Sequence, residues 1–394
     1  MVHAVSDVRS GDRRLRIGMV GGGREAFIGA VHRMAIRLDD QASVVAGALS
    51  SDAEVAALSA ADIGIAPDRA YASYEQMALA EATRSDGVEA VVIVTPNHLH
   101  APVARAFMSA GVDIICDKPL ASTLQDACDL LERTRASGLV FAVSLNNTGY
   151  AMVRQAREMV AAGAIGDIRI IRVEYIQDWL TLPIDAEGQK QAAWRTDPKR
   201  AGRSACLADI GVHAHSLAAY VTGLTLESVC ADLSTFVPGR ALDDNAHVLL
   251  RYAGGARGVL VASQVSPGNY NRLSLQVYGS SGGIEWCGEE PDVLLYCELG
   301  KPKQRLVRGG PGATEQAKRS SRLPAAHPEG YIEGFANFYR DAIELIRARR
   351  SGTAPDPAAH RAVPTVEDGA RGLKFVESAV ESHLAGGVWV PAVL

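Results

Sequence analysis

The chain has 394 residues, 47% hydrophobic and 22% charged, with a formal net charge of −5. That length suits about two globular domains, and the acidic balance argues against a polyanion partner such as nucleic acid, with no basic face standing out. No apolar run reaches membrane-spanning length, and the polar start, with Arg13-Arg14 and no apolar segment behind it, is neither a secretory nor a twin-arginine signal.

Residues 1–13 read as a loose arm. Six scattered cysteines (Cys116, Cys128, Cys206, Cys230, Cys287 and Cys297) form no CxxC pair, which fits reduced core thiols in a cytoplasmic protein. From residue 15 to about 143, short apolar runs alternate with amphipathic stretches. The runs 15–20, 43–49, 90–94, 113–116 and 140–144 predict strands, with helices at about 27–38, 52–60, 98–110 and 122–136. Such alternation implies a parallel, doubly wound sheet whose ligands bind at the carboxyl ends of the strands.

The first four of those ends each carry a feature. After the first strand comes Val20-Gly21-Gly22-Gly23-Arg24-Glu25-Ala26-Phe27-Ile28-Gly29, opening a helix. Glycines there let the backbone turn tightly and approach a pyrophosphate, and the helix start supplies amide donors. Gly21 and Gly23 fit the first two positions of the fingerprint; either Ala26 or, after a short insertion, Gly29 fills the third. Ser50-Ser51-Asp52 ends the second strand, and no Lys or Arg occurs between Leu38 and Arg69, so NAD is expected over NADP. Thr95-Pro96-Asn97-His98-Leu99-His100 follows the third strand as a proline turn with Asn97 as a helix cap. After the fourth comes Asp117-Lys118-Pro119, where proline biases Lys118 to an extended backbone and aims its ammonium at the cleft.

Beyond residue 150 the rhythm changes. A helix at about 150–162 leads to a strand at 168–175, an irregular segment at 180–205 and a helix at 206–221. Strands follow at 228–236, 246–252, 258–263, 273–278, 282–286 and 293–296, joined in part by turns such as Ala253-Gly254-Gly255, as in antiparallel hairpins. The polar, glycine-rich stretch 301–322 reads as a mobile loop. Helices at about 329–348 and 366–384 close the chain, the first ending in Arg347, Arg349 and Arg350, read as a solvated helix end.

On the helix at 206–221, Asp209 and His213 stand four apart and share a face. A histidine titrating near neutrality suits removal of a hydroxyl proton, a carboxylate can orient it, and a lysine favours negative charge on the same oxygen. His213-x-His215 and His98-x-His100 do not read as metal sites. Residues i and i+2 on a helix face apart, and no Cys/His set supports them.

Together these pieces resemble the glucose-fructose oxidoreductase / inositol dehydrogenase / MocA (Gfo/Idh/MocA) family across nearly the whole chain. Asp117-Lys118-Pro119 matches its Glu-Lys-Pro motif with aspartate for glutamate, and Asp209-Ile210-Gly211-Val212-His213 matches its Asp-x-Gly-x-His helix. The resemblance implies an N-terminal Rossmann dinucleotide-binding domain (1–146) and a C-terminal α+β domain (147–394) with a large, mostly antiparallel open sheet that often mediates homo-oligomers. It implies NAD(P)-dependent oxidation of a secondary ring hydroxyl of a sugar, anhydrosugar or inositol, with Lys118, Asp209 and His213 as the catalytic set. Cofactor contacts are then expected from Gly21, Gly23, Phe27, Ile28, Ser50, Ser51, Thr95, Pro96, Asn97, His100, Asp117, Lys118, Asn146 and Arg195. The neighbourhoods Asn147-Thr148-Gly149-Tyr150, Ala193–Pro198 and His327–Tyr331 are similar to a branch containing L-glucose and scyllo-inositol dehydrogenases, which implies Tyr150, Trp179, Arg195 and His327 as substrate contacts. Ser216 replaces an aspartate often found three residues after the histidine. Two other readings stay open: transient NAD-dependent oxidation of a glycoside, often at C3, during glycoside cleavage, and a non-catalytic dinucleotide sensor. Sensors of this kind typically lose the lysine or the histidine, and both are present here.

Overall fold

The computed structural model describes residues 13–24 and 26–394. The arm expected at 1–13 lies outside them except for Arg13, whose guanidinium donates to both carboxylate oxygens of Glu89 at 2.6 and 2.7 Å. Five strands form the first sheet: β1 (Leu15–Gly21), β2 (Ala42–Ala48), β3 (Ala90–Val94), β4 (Asp113–Cys116) and β5 (Phe141–Val143), in the parallel order β2-β1-β3-β4-β5. β3 and β4 are buried along their whole length, as continuous Val/Ile runs in a sheet covered on both faces must be.

The second sheet has nine strands: β6 (Ile168–Ile176), β7 (Leu226–Ser234), β8 (Asn245–Tyr252), β9 (Arg257–Ser263), β10 (Arg272–Gly279), β11 (Gly282–Cys287), β12 (Val293–Glu298), β13 (Gln304–Val307) and β14 (Val390–Pro391). Their order is β13-β12-β11-β10-β6-β9-β8-β7-β14, antiparallel throughout except for the β6–β9 pair. One face packs on helices Ala151–Ala161, Val212–Thr222 and Val366–Leu384, with Ile171, Val173, Val248, Leu250, Leu260 and Leu275 in a common core. The other face carries Ile170, Leu249, Val259 and Val261 outward. Helix Tyr331–Ser351 returns to the first sheet, where Phe335, Phe338, Ile343 and Ile346 join the core of Ile17, Val31, Ile36 and Val92. Among the described residues no helix is long and apolar enough to cross a membrane.

Three expectations need correction. The stretch 301–322 contains β13 and helix Glu315–Arg319, and its polar character reflects paired charge: buried Arg308 lies 2.8 Å from Asp292 and 2.9 Å from Glu329. Nor is the Arg347/Arg349/Arg350 end solvated, because Arg349 meets the fully buried Asp113 at 2.7 Å and Arg350 meets Glu89 at 3.4 Å. Helix Tyr74–Thr83 was unforeseen; it buries only Met77, Ala78 and Glu81 and so shows almost no apolar periodicity. The irregular segment at 180–205 also holds short helices, Lys190–Arg195 and Pro198–Ala201.

Candidate active site

The order of the first sheet reverses between β1 and β3, which opens a crevice at their carboxyl ends. Gly21 and Gly22 turn there with φ of +79° and +72°, values that side-chain-bearing residues rarely adopt. A Cβ on Gly29 would lie 2.4 Å from the Gly22 backbone. Gly29, not Ala26, therefore makes the close helix-to-turn contact. Ala26 precedes helix Phe27–Leu38 without a side-chain cap, so the first amides remain open to an anion. Thr95 Oγ1 and Asn146 Nδ2 are buried without a partner among the described residues. Thr95 adjoins the turn at Gly21 and Asn146 lines the cleft beside His213, and orphaned groups so placed fit a bound dinucleotide. Phe27 is exposed and Ile28 half-buried at the same helix start.

At the end of β2, Ser50 Oγ accepts from Asp52 N at 3.1 Å while Asp52 caps helix Ala53–Asp62; Ser51 is exposed beside them. Arg24 of the glycine loop reaches this corner, although a search for cations near β2 in sequence misses it. Its backbone N donates to Ser59 Oγ at 3.0 Å, and its guanidinium donates to both Asp62 oxygens at 2.6 and 2.9 Å. In the loop after β3, Pro96 leads into Asn97, which is buried. His100 turns inward, with Nδ1 2.8 Å from the Pro119 carbonyl and Nε2 2.9 Å from the Thr95 carbonyl. It braces the loop after β3 against the loop after β4.

Lys118 leaves β4 and reaches the second half of the chain. Its Nζ donates to Asp209 Oδ1 at 2.8 Å and to the Asp209 carbonyl at 2.7 Å. The neighbouring Asp117 turns the other way: Oδ1 accepts from Ser144 Oγ at 2.7 Å and lies 4.0 Å from His32 Nε2 beneath the sheet edge. Asp209 stands on a π-helical turn, Leu207–Gly211, that runs straight into helix Val212–Thr222. Such wide turns cluster at functional sites. Buried Asp243 fixes its start by accepting from Leu207 N at 3.0 Å and Ala205 N at 2.9 Å.

The second Asp209 oxygen accepts from Gln264 Nε2 at 2.9 Å and lies 3.4 Å from Arg195 Nε. Burial opposes ionisation of Asp209, but the charges of Lys118 and Arg195 outweigh it and hold the carboxyl well below its usual range. Burial first, and then the Lys118 charge, push His213 down to about 3, so its ring is neutral at pH 7. The Asn147 carboxamide lies 3.0 Å from His213 Nδ1, and the edge of Tyr175 approaches the ring with centroids 5.9 Å apart.

Beside this cluster opens a cleft of about 350 Å³ lined by Asn146, Asn147, Tyr150, Tyr175, His213 and Asn271, closed by Trp286 and Tyr331. Arg195 is sandwiched, 4.2 Å from the Trp194 ring centroid and 6.0 Å from that of Trp179. His327 is not drawn in: it is exposed, with Nδ1 3.3 Å from the Ala325 carbonyl.

Two family models cover most of the chain: an oxidoreductase family NAD-binding Rossmann fold over residues 15–145 and a GFO/IDH/MocA C-terminal domain over residues 153–285. The chain belongs to the Gfo/Idh/MocA family. An oxidoreductase from Sinorhizobium meliloti is 48% identical, with a TM-score of 0.87 over 96% of this chain and 99% of that one. An inositol dehydrogenase homolog from Azotobacter vinelandii, solved with NAD+, is 34% identical, with a TM-score of 0.90 over 96% and 97%; it has also been solved with NADH and myo-inositol. Levoglucosan dehydrogenase of Pseudarthrobacter phenanthrenivorans is 29% identical over 312 residues, 72% of this chain and 76% of its own. A levoglucosan dehydrogenase solved with NADH and levoglucosan has a TM-score of 0.81 at 27% identity, over 96% and 99%.

This Gfo/Idh/MocA protein is thus an oxidoreductase with an NAD-binding Rossmann domain. Tyr175, Gln264, Asn147, Asn271 and Trp286 escaped the reading of its sequence as site residues. Gln264 left a signal: it continues the inward phase of Leu260 and Ala262 at the end of β9, and a polar residue on a buried face needs a partner.

Proposed function

We propose that this Gfo/Idh/MocA oxidoreductase uses NAD to oxidise a secondary ring hydroxyl of a sugar, anhydrosugar or inositol to the ketone. One observation carries the reading: Lys118 is held 2.8 Å from Asp209 while His213, on the following turn, lines the adjoining cleft. Bound NAD+ would supply the hydride acceptor. Neutral His213 offers a lone pair to the hydroxyl proton, and the Lys118 ammonium favours negative charge developing on that oxygen. Asp209, itself held by Gln264, fixes the lysine. Asn146, Asn147, Asn271 and the tyrosine hydroxyls offer partners for the remaining substrate oxygens. Lys118 and Arg195 both face Asp209, so the cleft suits an uncharged polyol better than a sugar acid or phosphate. The likeness to proteins solved with myo-inositol and with levoglucosan supports the same class.

NADH formation measured over inositols, aldoses, anhydrosugars and glycosides, with NAD and with NADP, tests the reading. Turnover of at least one polyol is expected. His213→Ala should lower kcat by about 100-fold or more and leave NAD affinity within about threefold, since its contacts among the described residues are with Asn147 and Tyr175 and not with the glycine loop. Full activity in that variant, or no turnover of any compound, overturns it. Glycoside cleavage without NADH release would instead point to transient oxidation. We also propose that a second copy of the chain covers the outer face of the nine-stranded sheet, where Ile170, Leu249, Val259 and Val261 lie on adjacent strands. Light scattering should therefore give at least twice the monomer mass, and Leu249→Arg should reduce it.

A further inference from the structure

A neutral imidazole carries its single proton on one ring nitrogen, and only the other can accept a proton. His213 lines the cleft, and its Nε2 is not among the buried, unpartnered atoms, whereas Nδ1 faces the Asn147 carboxamide nitrogen at 3.0 Å. If the NH2 end donates to Nδ1, the ring proton must lie on Nε2, and the nitrogen open to the cleft has no lone pair. A half-turn about the Asn147 Cβ–Cγ bond brings Oδ1 to Nδ1 instead. Neither end of this carboxamide has another partner among the described residues, so the turn breaks no other bond.

Resting on the proposed role of His213 as proton acceptor, we infer that Asn147 is the positioning residue that selects its tautomer, with Oδ1 accepting from Nδ1–H so that Nε2 keeps its lone pair. The other neighbours cannot do this. Asp209 directs one oxygen to Lys118 and the other to Gln264, while Tyr175 meets the ring only by its edge. A carboxylate that elsewhere could orient a histidine here holds the lysine, and the carboxamide takes over the histidine. Asn147 is also rigidly mounted. It sits on the short turn Asn146–Gly149, where buried Arg154 donates to the Thr148 carbonyl at 2.8 Å and buried Asn337 donates to the Gly149 carbonyl at 2.9 Å. Arg154 is itself anchored 2.7 Å from buried Asp341.

Nitrogen NMR of enzyme labelled only at histidine, near neutral pH, reads the tautomer without any substrate; His213→Asn identifies its signals. Wild type should show Nδ1 protonated and Nε2 bare. Asn147→Leu should give a mixture or the reverse, and Asn147→Asp should keep the wild-type pattern. With the best substrate of the polyol screen, Asn147→Leu should lower kcat about 10- to 100-fold at unchanged NAD affinity. Asn147→Asp should keep at least about a tenth of kcat and move the acid limb of kcat/KM up by about one pH unit, since a carboxylate favours the imidazolium. Lys118 and Asp117 from the end of β4, Asp209 on its own helix and Tyr175 from β6 also act on His213, but they are common to both variants. A wild-type ring protonated on Nε2, or an unchanged tautomer in Asn147→Leu, overturns the inference. Since the spectra need no turnover, that outcome is distinct from a failed polyol screen.

Discussion

Arg24 and Asp62 form a bidentate ion pair at the corner where the adenosine ribose of a dinucleotide would lie. Both side chains are about half exposed, so the pair adds little to stability and is free to exchange partners. Its effect is on choice of cofactor: while Asp62 holds the guanidinium, Arg24 is not offered to a 2′-phosphate. Asp62→Ala should therefore lower the KM for NADP by about threefold or more, a fraction of a charge-assisted hydrogen bond, with the KM for NAD little changed. Steady-state kinetics with the two cofactors checks it. His215 gives a second prediction. It is buried and stacked on Phe375, its Nδ1 has no partner among the described residues, and burial pushes it down to about 4. Because its folded value lies below its unfolded one, the folded state takes up fewer protons. The stability it contributes is complete above about pH 6.5 and is lost as pH falls towards 4. His215→Leu should lose about 2 kcal/mol less between pH 8 and pH 5 than the wild type, measured by urea unfolding at both pH values.

The turn Asn146–Gly149 shows how an element rather than a residue can set the geometry of a site. A Cβ on Gly149 would fall 1.9 Å from the Gly334 carbonyl in helix Tyr331–Ser351, so the two backbones touch directly. Gly149→Ala must push turn and helix apart, at a cost of about 1–3 kcal/mol, and it should lower kcat by about tenfold by displacing Asn146 and Asn147. Denaturant unfolding and steady-state kinetics should show both losses; a variant normal in both would mean that the contact yields freely. Elements of this kind mark what a sequence reveals. The strands of the first sheet were legible because Ala90–Val94 and Asp113–Cys116 are unbroken apolar runs between turn signals. Lys118, Asp209 and His213 were legible through motif spacing, and their convergence depends on one lysine reaching a helix 91 residues away. The partners that hold them were not: Tyr175 and Asn147 meet the cluster through tertiary contacts that no local pattern encodes, and Gln264 showed only that it faces inward, not what it meets. Polarity alone misled at 301–322 and at Arg349 and Arg350, because a charged residue paired with a buried acid reads like a solvated one.

At the scale of the molecule, the first sheet depends on late sequence. Phe335, Phe338, Ile343 and Ile346 fill one of its faces, Val366, Ala370 and Leu373 join the core on the other, and Tyr339 lies 2.5 Å from buried His32. Arg349 pairs with buried Asp113 at 2.7 Å and opposes the rise that burial imposes on its carboxyl. A fragment of residues 1–146 should therefore lack a cooperative unfolding transition, since it would expose Ile17, Val31, Ile36 and Val92 without their cover. Circular dichroism of the fragment during heating checks this. Supplying residues 329–384 as a separate chain should restore part of the transition.

That dependence bears on how the protein is made. The strands of the nucleotide half leave the ribosome well before the helix Tyr331–Ser351 that seals them. During synthesis the parallel strands must wait, apolar and half clothed, until the second sheet has been made and Tyr331–Ser351 follows it. Growing chains of this enzyme should thus be clients of chaperones that shield nascent hydrophobic surface, and slow translation ahead of residue 331 would lengthen that exposure.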